Sequence, residues 1–277
     1  AEAAWSTYCG VHADLLKELG ATEFVGYERL SADAEVCAIV RNGERVDSLS
    51  AGEQGEVVLN VTPFYAEMGG EVGDTGTITA DGVELQVTDT KAPEKGLVCH
   101  VATVASGVLT VGMAVSAQVD VKRRACIARN HTCTHILHAA LRQVLGAHVK
   151  QAGSYVGPDR LRFDFTHFES VTPEQLKQVE ELANSVIMSA TNIFETSLAK
   201  AREEGVTALF GEKYGDVVRV VKVGDFSSEL CGGCHVANTA EIGLVKIVSE
   251  SSVGANLRRI EAFTSYDALT YLNGFEH

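Results

Sequence analysis

Two pairs of side chains, far apart along the chain, have the residue types and the spacing of a metal site. His131 and His135 are four residues apart, which on a helix directs both imidazoles to one face. Cys231 and His235 have the same spacing, but the two glycines between them indicate a turn. Three imidazole nitrogens and one thiolate sulfur form a tetrahedral donor set that suits Zn²⁺. The sequence therefore predicts a zinc site made of these four side chains.

Neighbouring residues leave alternatives open at this site. His138 lies on the same helical face and could replace either helix histidine as a ligand. Cys234 could replace Cys231 as the sulfur ligand, or pair with it as a redox dithiol in the Cys-Gly-Gly-Cys segment. Cys133, between the two helix histidines, points away from their shared face, and we expect it to be buried.

Composition indicates a soluble globular chain of one or two domains. The 277 residues are 45% hydrophobic and 22% charged, which excludes a disordered chain. No apolar run reaches the ~18 residues of a membrane-spanning helix, and the first residues, Ala-Glu-Ala-Ala-Trp, show no signal-peptide pattern. Seven dispersed cysteines predict free thiols in a reducing compartment. We therefore expect a cytoplasmic protein with no membrane partner.

Charge is distributed unevenly along the chain. The formal net charge is −14, and residues 1–120 contain 19 acidic but only 6 basic side chains. The second part is close to neutral and begins with Lys122, Arg123 and Arg124. Because local potential governs the docking of phosphate groups, this basic segment is a candidate contact for a nucleic acid. A solvated helix surface is the simpler interpretation of the charge pattern.

The elements that precede the histidine pair are predicted to be one helix and a set of strands. Apolar residues at helical spacing predict a helix over residues 3–19 that ends at Gly20. From residue 23 to 121, alternating apolar residues and turn signals predict short strands, including a hairpin that turns at Asp81 and Gly82. We expect a helical lead-in over residues 1–22 and a small antiparallel β-barrel over residues 23–121.

A second domain, residues 122–277, is predicted to hold the zinc site. Asn130 is placed to cap a helix from about residue 131 to 145 that carries both histidines. Thr172, Pro173 and Gln175 predict a further helix that reaches about residue 191. Strands are expected over residues 161–165, 217–223, 243–249 and 257–264, and a final helix over 266–272. The predicted fold class is α+β: a small antiparallel β-barrel followed by a two-layer α/β core.

Several segments, in the same order, resemble the editing domain of alanyl-tRNA synthetase and the barrel that precedes it. These segments are His-Thr-Cys-Thr-His (131–135), His-Val-Lys-Gln-Ala-Gly-Ser (148–154), Leu-Arg-Phe-Asp-Phe (161–165), Cys-Gly-Gly-Cys-His (231–235), and residues 62–76, 208–216 and 258–262. The resemblance begins at about residue 20, and freestanding alanyl-tRNA editing proteins are also similar. Asn256 stands where the family usually has glycine, and asparagine tolerates the positive φ that glycine would adopt.

The resemblance implies an enzyme that deacylates tRNA(Ala) mischarged with serine or glycine. The expected partners are the tRNA(Ala) acceptor end and the remainder of the synthetase, whose ATP-dependent aminoacylation part is absent from this chain. Zn²⁺ would activate a water or anchor the substrate amino group, and four protein ligands favour the anchoring role. A tRNA-binding module with a purely structural zinc site and a hydrolase of small esters are the alternative functions.

The resemblance also implies roles for individual side chains. Thr134 would sense the serine hydroxyl, and Gln151 and Ser154 would hold the ester and the ribose. Asp164 is a candidate general base, although pairing with Arg162 or with a backbone amide explains it equally well. The candidate contacts to the tRNA acceptor end are the basic residues Lys122, Arg123, Arg124, Arg142 and Arg258.

Overall fold

The computed structural model of the chain describes residues 9–203 and 219–275, so the predicted motif at 208–216 lies outside the described residues. Two compact units are present: the chain up to Met68 together with Val72–Arg124, and Gly69–Glu71 together with the chain from Ala125 onward. The domain boundaries at residues 22 and 121 stay predictions. No helix of the described ranges is both long and apolar enough to span a membrane.

The first unit consists of one helix and a series of strands. Its elements are α1 (Cys9–Leu19), β1 (Glu23–Phe24), β2 (Ser31–Arg41), β3 (Glu44–Val46), β4 (Ser48–Ser50), β5 (Gln54–Leu59), β6 (Val61–Thr62), β7 (Gly76–Ala80), β8 (Val83–Glu94), β9 (Leu97–Ser106), β10 (Val108–Thr110) and β11 (Ala114–Val119). Gly20 ends α1 with a φ of 76° and donates its N–H to the carbonyl of Leu16, as predicted. The predicted hairpin that turns at Asp81 and Gly82 is also present, between β7 and β8.

Six of these strands close into an antiparallel barrel. The order is β11, β7, β8, β9, β5, β2, and β11 pairs again with β2. Alternate residues of β11 are buried, which is the period expected of strands with one face on a core. The interior is filled by apolar side chains that include Val57, Ile78, Leu85 and Val115. The predicted α+β fold with a small antiparallel barrel is therefore confirmed.

Helices and two antiparallel sheets make up the rest of the chain. The elements are α2 (Val121–Leu145), β12 (Gln151–Val156), β13 (Leu161–Thr166), α3 (Pro173–Met188), β14 (Ile193–Ser197), α4 (Leu198–Glu203), β15 (Arg219–Val223), β16 (Ser227–Cys231), a 3₁₀ helix (Thr239–Ile242), β17 (Val245–Gly254), β18 (Leu257–Thr264) and α5 (Ser265–Asn273). One sheet has the order β12-β13-β18-β17 and the other the order β14-β15-β16. A single apolar cluster joins Leu137 and Leu141 of α2, Val179 of α3 and Phe163 of β13.

Helix α2 begins earlier than the sequence analysis predicted. Asp120, rather than Asn130, caps it, because the Asp120 carboxylate accepts the N–H of Arg123 at 3.0 Å. Asn130 lies inside the helix, where its side chain donates to the Gly157 carbonyl and accepts from the Thr264 hydroxyl. The prediction that Asn130 caps the helix was therefore wrong. The Asn130 side chain bonds to residues that are distant in sequence and not to the N-terminal end of the helix.

Other predicted elements agree with the structure within a few residues. Helix α3 has the predicted capping box of Thr172 and Gln175, but it ends at Met188, before Ala190 adopts a positive φ of 51°. Strands β13 and β18 lie where they were predicted, whereas β17 is longer and only the part of the predicted 217–223 strand from residue 219 is described. Asn256 has the positive φ, 57°, expected of a residue that replaces glycine.

Candidate metal centre

The four predicted metal ligands lie together in the second unit. His131 and His135 are on α2, Cys231 is the last residue of β16, and His235 follows in the next loop. One ligand atom of each side chain lies within 4.8 Å of the others. The Nε2 atoms of His131 and His235 are each 3.3 Å from Sγ of Cys231. The His131 and His135 rings stack with centroids 5.3 Å apart, as the four-residue spacing on a helix requires.

The Nδ1 atom of each histidine in the cluster contacts an oxygen of a side chain outside the cluster. The Nδ1 contacts are His131 to Glu71 Oε2 at 3.0 Å, His135 to Glu229 Oε2 at 3.2 Å and His235 to Thr132 Oγ1 at 3.0 Å. An ionised carboxylate can only accept a hydrogen bond, so the two helix histidines carry their proton on Nδ1. Nε2 is then the nitrogen that is available to a cation.

Glu71 and Glu229 were not identified from the sequence. Glu229 stands two residues before Cys231 on β16, and this strand spacing, which places both side chains on one face, is a signal that could have revealed it. Glu71 has no such signal, because it lies in a glycine-rich segment remote from His131. Its carboxylate is almost fully buried and also accepts the N–H of Cys234 at 2.9 Å.

The donor set of the cluster fits Zn²⁺. Nε2 of His135 is buried and makes no hydrogen bond to the part of the chain that the structure describes. A buried polar atom without a partner costs about 1–3 kcal/mol, and a coordinated cation removes this cost. Three imidazole nitrogens and one sulfur are ligands that Zn²⁺ accepts together in tetrahedral geometry. The four side chains are therefore compatible with a zinc site.

Without a cation, electrostatics in the cluster favour the metal-coordinating forms of Cys231 and His235 and the protonated form of His131. Burial raises the pKa of the Cys231 thiol, but the imidazoles of His131 and His135 outweigh burial and hold this pKa well below its ordinary value. Burial, together with His131, lowers the pKa of His235 to about 4. Burial lowers the pKa of His131, but the Cys231 thiolate and Glu71 outweigh burial and raise this pKa to about 9. A thiolate is thus stabilised, and a cation would replace the protons that now balance it.

The alternative ligands lie beside the cluster and not in it. Nδ1 of His138 is 2.8 Å from Oε1 of Glu229, so one carboxylate bridges His138 and His135. These two imidazoles outweigh burial and hold the pKa of Glu229 well below its usual range. Cys231 supplies the sulfur of the four-donor group, and no disulfide joins it or Cys234 to another cysteine of the described residues. Cys133 is fully buried, as predicted.

Gly233 is required by the packing of the site. A Cβ at this position would lie 2.1 Å from Cε1 of His131 and 2.4 Å from Oε2 of Glu71. Contacts this short do not occur, so any side chain at residue 233 has to displace the imidazole or the carboxylate that orients it. The second glycine of the Cys-Gly-Gly-Cys segment therefore allows close approach of the backbone to a ligand.

The structure brings two of the predicted substrate-binding residues together. Nε2 of Gln151 donates to Oγ of Ser154 at 3.2 Å, and Ser154 Oγ lies 3.4 Å from the Gly69 carbonyl. Thr134 is nearly buried on α2, where its hydroxyl donates to the Asn130 carbonyl at 2.8 Å. Because the proton of this hydroxyl is already donated, the Thr134 oxygen remains able to accept a hydrogen bond.

Asp164 and Arg124 require corrections. Both oxygens of Asp164 accept from Arg259, at 2.7 and 3.0 Å, so this carboxylate is held in an ion pair and is not placed as a general base. Pairing of Asp164 with an arginine was the alternative interpretation. The principal partner is Arg259, whereas Nε of the expected Arg162 lies 3.8 Å from Oδ2 of Asp164. Arg124 is buried in the first unit and binds Asp74 and two backbone carbonyls, so it cannot contact a tRNA.

The other basic residues are partly engaged with the protein. Their hydrogen bonds are Arg123 to the Gly73 carbonyl, Arg142 to the Val149 carbonyl and Arg258 to Oε1 of Glu250. Lys122 is exposed. These four side chains remain candidate contacts to phosphate groups, since each guanidinium has further donors to offer.

Comparison with known proteins places the chain among tRNA synthetases. Residues 3–123 match the model of a family described as tRNA synthetases class II (A). Residues 218–261 match the family described as threonyl and alanyl tRNA synthetase second additional domain.

Curated relatives extend the similarity over almost the whole chain. The alanine–tRNA ligase of Pelotomaculum thermopropionicum is 55% identical over 262 residues, which are 94% of this chain and 30% of the relative. The ligases of Desulforamulus reducens and Carboxydothermus hydrogenoformans are 53% and 52% identical over 264 residues, 95% of this chain and 30% of each relative. The chain thus spans about 30% of the length of these relatives. With this identity and two family matches in separate parts of its sequence, the chain belongs to the alanyl-tRNA synthetase family.

Proposed function

We propose that the chain is the editing segment of an alanyl-tRNA synthetase and hydrolyses the ester of tRNA(Ala) mischarged with serine or glycine. The observation that carries this proposal is the convergence of three imidazoles and a thiol within 4.8 Å of one another. The relatives are named as ligases of alanine to tRNA. The partners proposed are the tRNA(Ala) acceptor end and the remainder of the synthetase.

A hydrolytic site of this kind has a physical purpose in a synthetase that selects alanine. A pocket that fits a methyl group cannot strongly reject glycine, which is smaller, or a side chain that differs from alanine by one hydroxyl. A second site that removes the wrong amino acid is then needed. Such a site must bind serine better than alanine, which requires a polar group where the serine hydroxyl lies.

Zn²⁺ bound by His131, His135, Cys231 and His235 would supply a Lewis acid that anchors the substrate amino group or activates a water. The chain's own contribution is to hold the imidazoles in place. Glu71 and Glu229 accept the Nδ1 protons of the helix histidines and so direct their Nε2 atoms to the site.

Thr134 is proposed to recognise serine. Its hydroxyl proton is donated to the Asn130 carbonyl, so its oxygen can accept the proton of a serine hydroxyl. Asn130 is itself fixed by Gly157 and Thr264, which keeps the Thr134 oxygen in one orientation. Alanine offers no hydroxyl to this oxygen.

Gln151 and Ser154 are proposed to bind the ester and the terminal ribose, because they form a joined pair of polar side chains. Lys122, Arg123, Arg142 and Arg258 are proposed contacts to the acceptor-end phosphates. A reducing cytoplasm is part of the same proposal, because no disulfide joins the six cysteines whose side chains the structure describes.

A tRNA-binding module with a purely structural zinc is the second candidate. It is favoured by the completeness of the donor set, because catalytic zinc sites usually keep one position open. In such a module the same four ligands would hold the fold, and tRNA would bind without being cleaved.

A deacylation assay separates the two candidates. We expect the chain to release serine from Ser-tRNA(Ala) and to leave Ala-tRNA(Ala) intact, and we expect Cys231→Ser to abolish release. Cys234→Ser is the matched control, since Cys234 lies in the same segment but outside the four-donor group. Binding of tRNA without release would favour the structural module. Equal release from seryl esters that lack tRNA would favour a hydrolase of small esters.

A further inference from the structure

A second group of metal-ligating side chains lies in the first unit. His12 of α1, Glu56 of β5 and Cys99 of β9 present an imidazole nitrogen, a carboxylate oxygen and a thiol sulfur within 4.8 Å of one another. Nε2 of His12 is 3.2 Å from Oε2 of Glu56. None of these residues belongs to the four-donor cluster, and the proposed function gives them no task.

The strand pattern explains how these side chains meet. Val57 belongs to the core inside the barrel, so its neighbour Glu56 points to the outer face of β5. On β9, Cys99 belongs to a separate apolar cluster that also contains Leu15 of α1. Helix α1 therefore covers the outer face of the barrel, and its inward side brings His12 to Glu56 and Cys99.

The three groups are withdrawn from water to an unusual degree. His12 is 1% exposed and Cys99 is fully buried, while the Glu56 side chain is 17% exposed. Burial, and then the nearby Glu56 carboxylate, raise the pKa of the Cys99 thiol above its ordinary value. A coordinated cation neutralises the carboxylate and takes the place of the thiol proton, because a thiol that binds a metal loses its proton.

We propose that His12, Glu56 and Cys99 form a second cation site, of the class that binds Zn²⁺. One nitrogen, one oxygen and one sulfur ligand together suit Zn²⁺ better than Mg²⁺ or Ca²⁺, which prefer oxygen ligands only. Three protein ligands leave a fourth position for water or another ligand. Because the ligands come from α1, β5 and β9, the cation ties the helix to the outer face of the barrel.

Zinc content of the whole chain tests this proposal. The protein is equilibrated with Zn²⁺ and a weak competing chelator, desalted, and its zinc is counted per chain by mass spectrometry. We expect Cys99→Ser and Glu56→Gln each to bind one zinc fewer than the unaltered protein. Cys37→Ser is the matched control and keeps the full content, because Cys37 packs against the same apolar cluster but lies outside the three-residue group.

Cobalt spectroscopy identifies the sulfur ligand directly. In the Cys231→Ala, Cys234→Ala double variant, which lacks both thiols of the Cys-Gly-Gly-Cys segment, Co²⁺ should still produce a thiolate charge-transfer band. This band should disappear when Cys99→Ser is added and persist when Cys37→Ser is added. Unchanged zinc content in folded Glu56→Gln, or a Co²⁺ band that does not depend on Cys99, would overturn the proposal. His12 and Glu56 would then be an ion pair beside a buried thiol. Glu56→Gln decides the question even if Cys99→Ser does not fold.

Discussion

At the scale of single residues, Glu71 and Glu229 determine which nitrogen of each helix histidine is offered to a cation. Both carboxylates accept a hydrogen bond from an Nδ1–H group; Glu71 is almost fully buried and Glu229 is partly buried. A hydrogen bond of this kind fixes the tautomer and the ring orientation of a ligand and raises its basicity. The metal affinity of the site therefore depends on residues that do not touch the metal.

Substitution of either carboxylate should weaken zinc binding without removing a ligand. We expect Glu71→Gln and Glu229→Gln each to raise the zinc Kd by about 10- to 100-fold, because the amide no longer fixes the imidazole tautomer. Competition with a fluorescent chelator measures this Kd. Glu181→Gln, on the exposed face of α3, is the control. An unchanged Kd in both variants would contradict the positioning role.

Gly233 provides a steric test of the same site. Gly233→Ala places a Cβ 2.1 Å from the His131 ring, so we expect this variant to bind one zinc per chain fewer than the unaltered protein. Gly10→Ala is the control, since its Cβ meets nothing within 4 Å. Full zinc content in Gly233→Ala would mean that the backbone can move away from His131 at little cost.

Thr134 should affect one substrate and spare the other. Thr134→Val removes the hydroxyl but keeps the shape, so kcat/KM for Ser-tRNA(Ala) should fall by about 10- to 100-fold, which corresponds to one lost hydrogen bond of about 1–3 kcal/mol. The value for Gly-tRNA(Ala) should remain unchanged, because glycine offers no hydroxyl. Thr134→Ser should restore serine release. An equal loss for both substrates would indicate a packing role for Thr134.

At the scale of elements, local signals were read correctly and long-range partners were missed. The four-residue spacings predicted four side chains whose ligand atoms the structure brings within 4.8 Å of one another, and the predicted capping box of Thr172 is present at the start of α3. The prediction of Asn130 as a helix cap was wrong because its side chain bonds to Gly157 and Thr264, which are distant in sequence and cannot be identified from the residues around it. Arg124 was wrongly predicted to be a surface residue for the same reason. The basic segment that contains it gives no indication that Asp74 binds the Arg124 guanidinium in the protein interior. Residue propensities and residue spacing depend on neighbours along the chain, whereas the burial of a side chain depends on contacts with residues that are distant in sequence.

Strand β9 carries a buried histidine that should make the first unit sensitive to acid. His100 donates from Nδ1 to the Val57 carbonyl and accepts at Nε2 from the Thr62 hydroxyl, and burial lowers its pKa from 6.5 to about 4. Above pH 6.5 neither the folded nor the unfolded chain binds this proton, so stability is unaffected. Between pH 6.5 and 4 only the unfolded chain is protonated, and His100 should cost up to about 3 kcal/mol of stability.

Urea unfolding as a function of pH measures this cost. We expect His100→Gln to be less stable at neutral pH and to lose less stability than the unaltered protein between pH 6.5 and 4. Parallel pH profiles for His100→Gln and the unaltered protein would show that His100 is not the group responsible.

At the scale of the whole molecule, the sequence predicted the α+β class, the closed barrel and the four donors of the metal centre. It did not predict that Gly69–Glu71 would belong to the second unit and deliver Glu71 to His131. A segment of three residues is too short to show a hydrophobic period. The bridge between Glu71 and Val156 joins residues that are distant in sequence, so no local pattern predicts it. The second group, His12, Glu56 and Cys99, has no sequence motif because each residue comes from a different element.

We propose that the four-donor cluster holds the zinc on which serine release depends. The most direct test is the single-turnover rate of serine release from Ser-tRNA(Ala), measured as purified, after removal of metal and after return of Zn²⁺. We expect the rate to fall at least 100-fold on removal and to recover with one zinc bound to the cluster, but not to recover in Cys231→Ser. A rate that is the same with and without metal, in a chain that remains folded, would contradict the account.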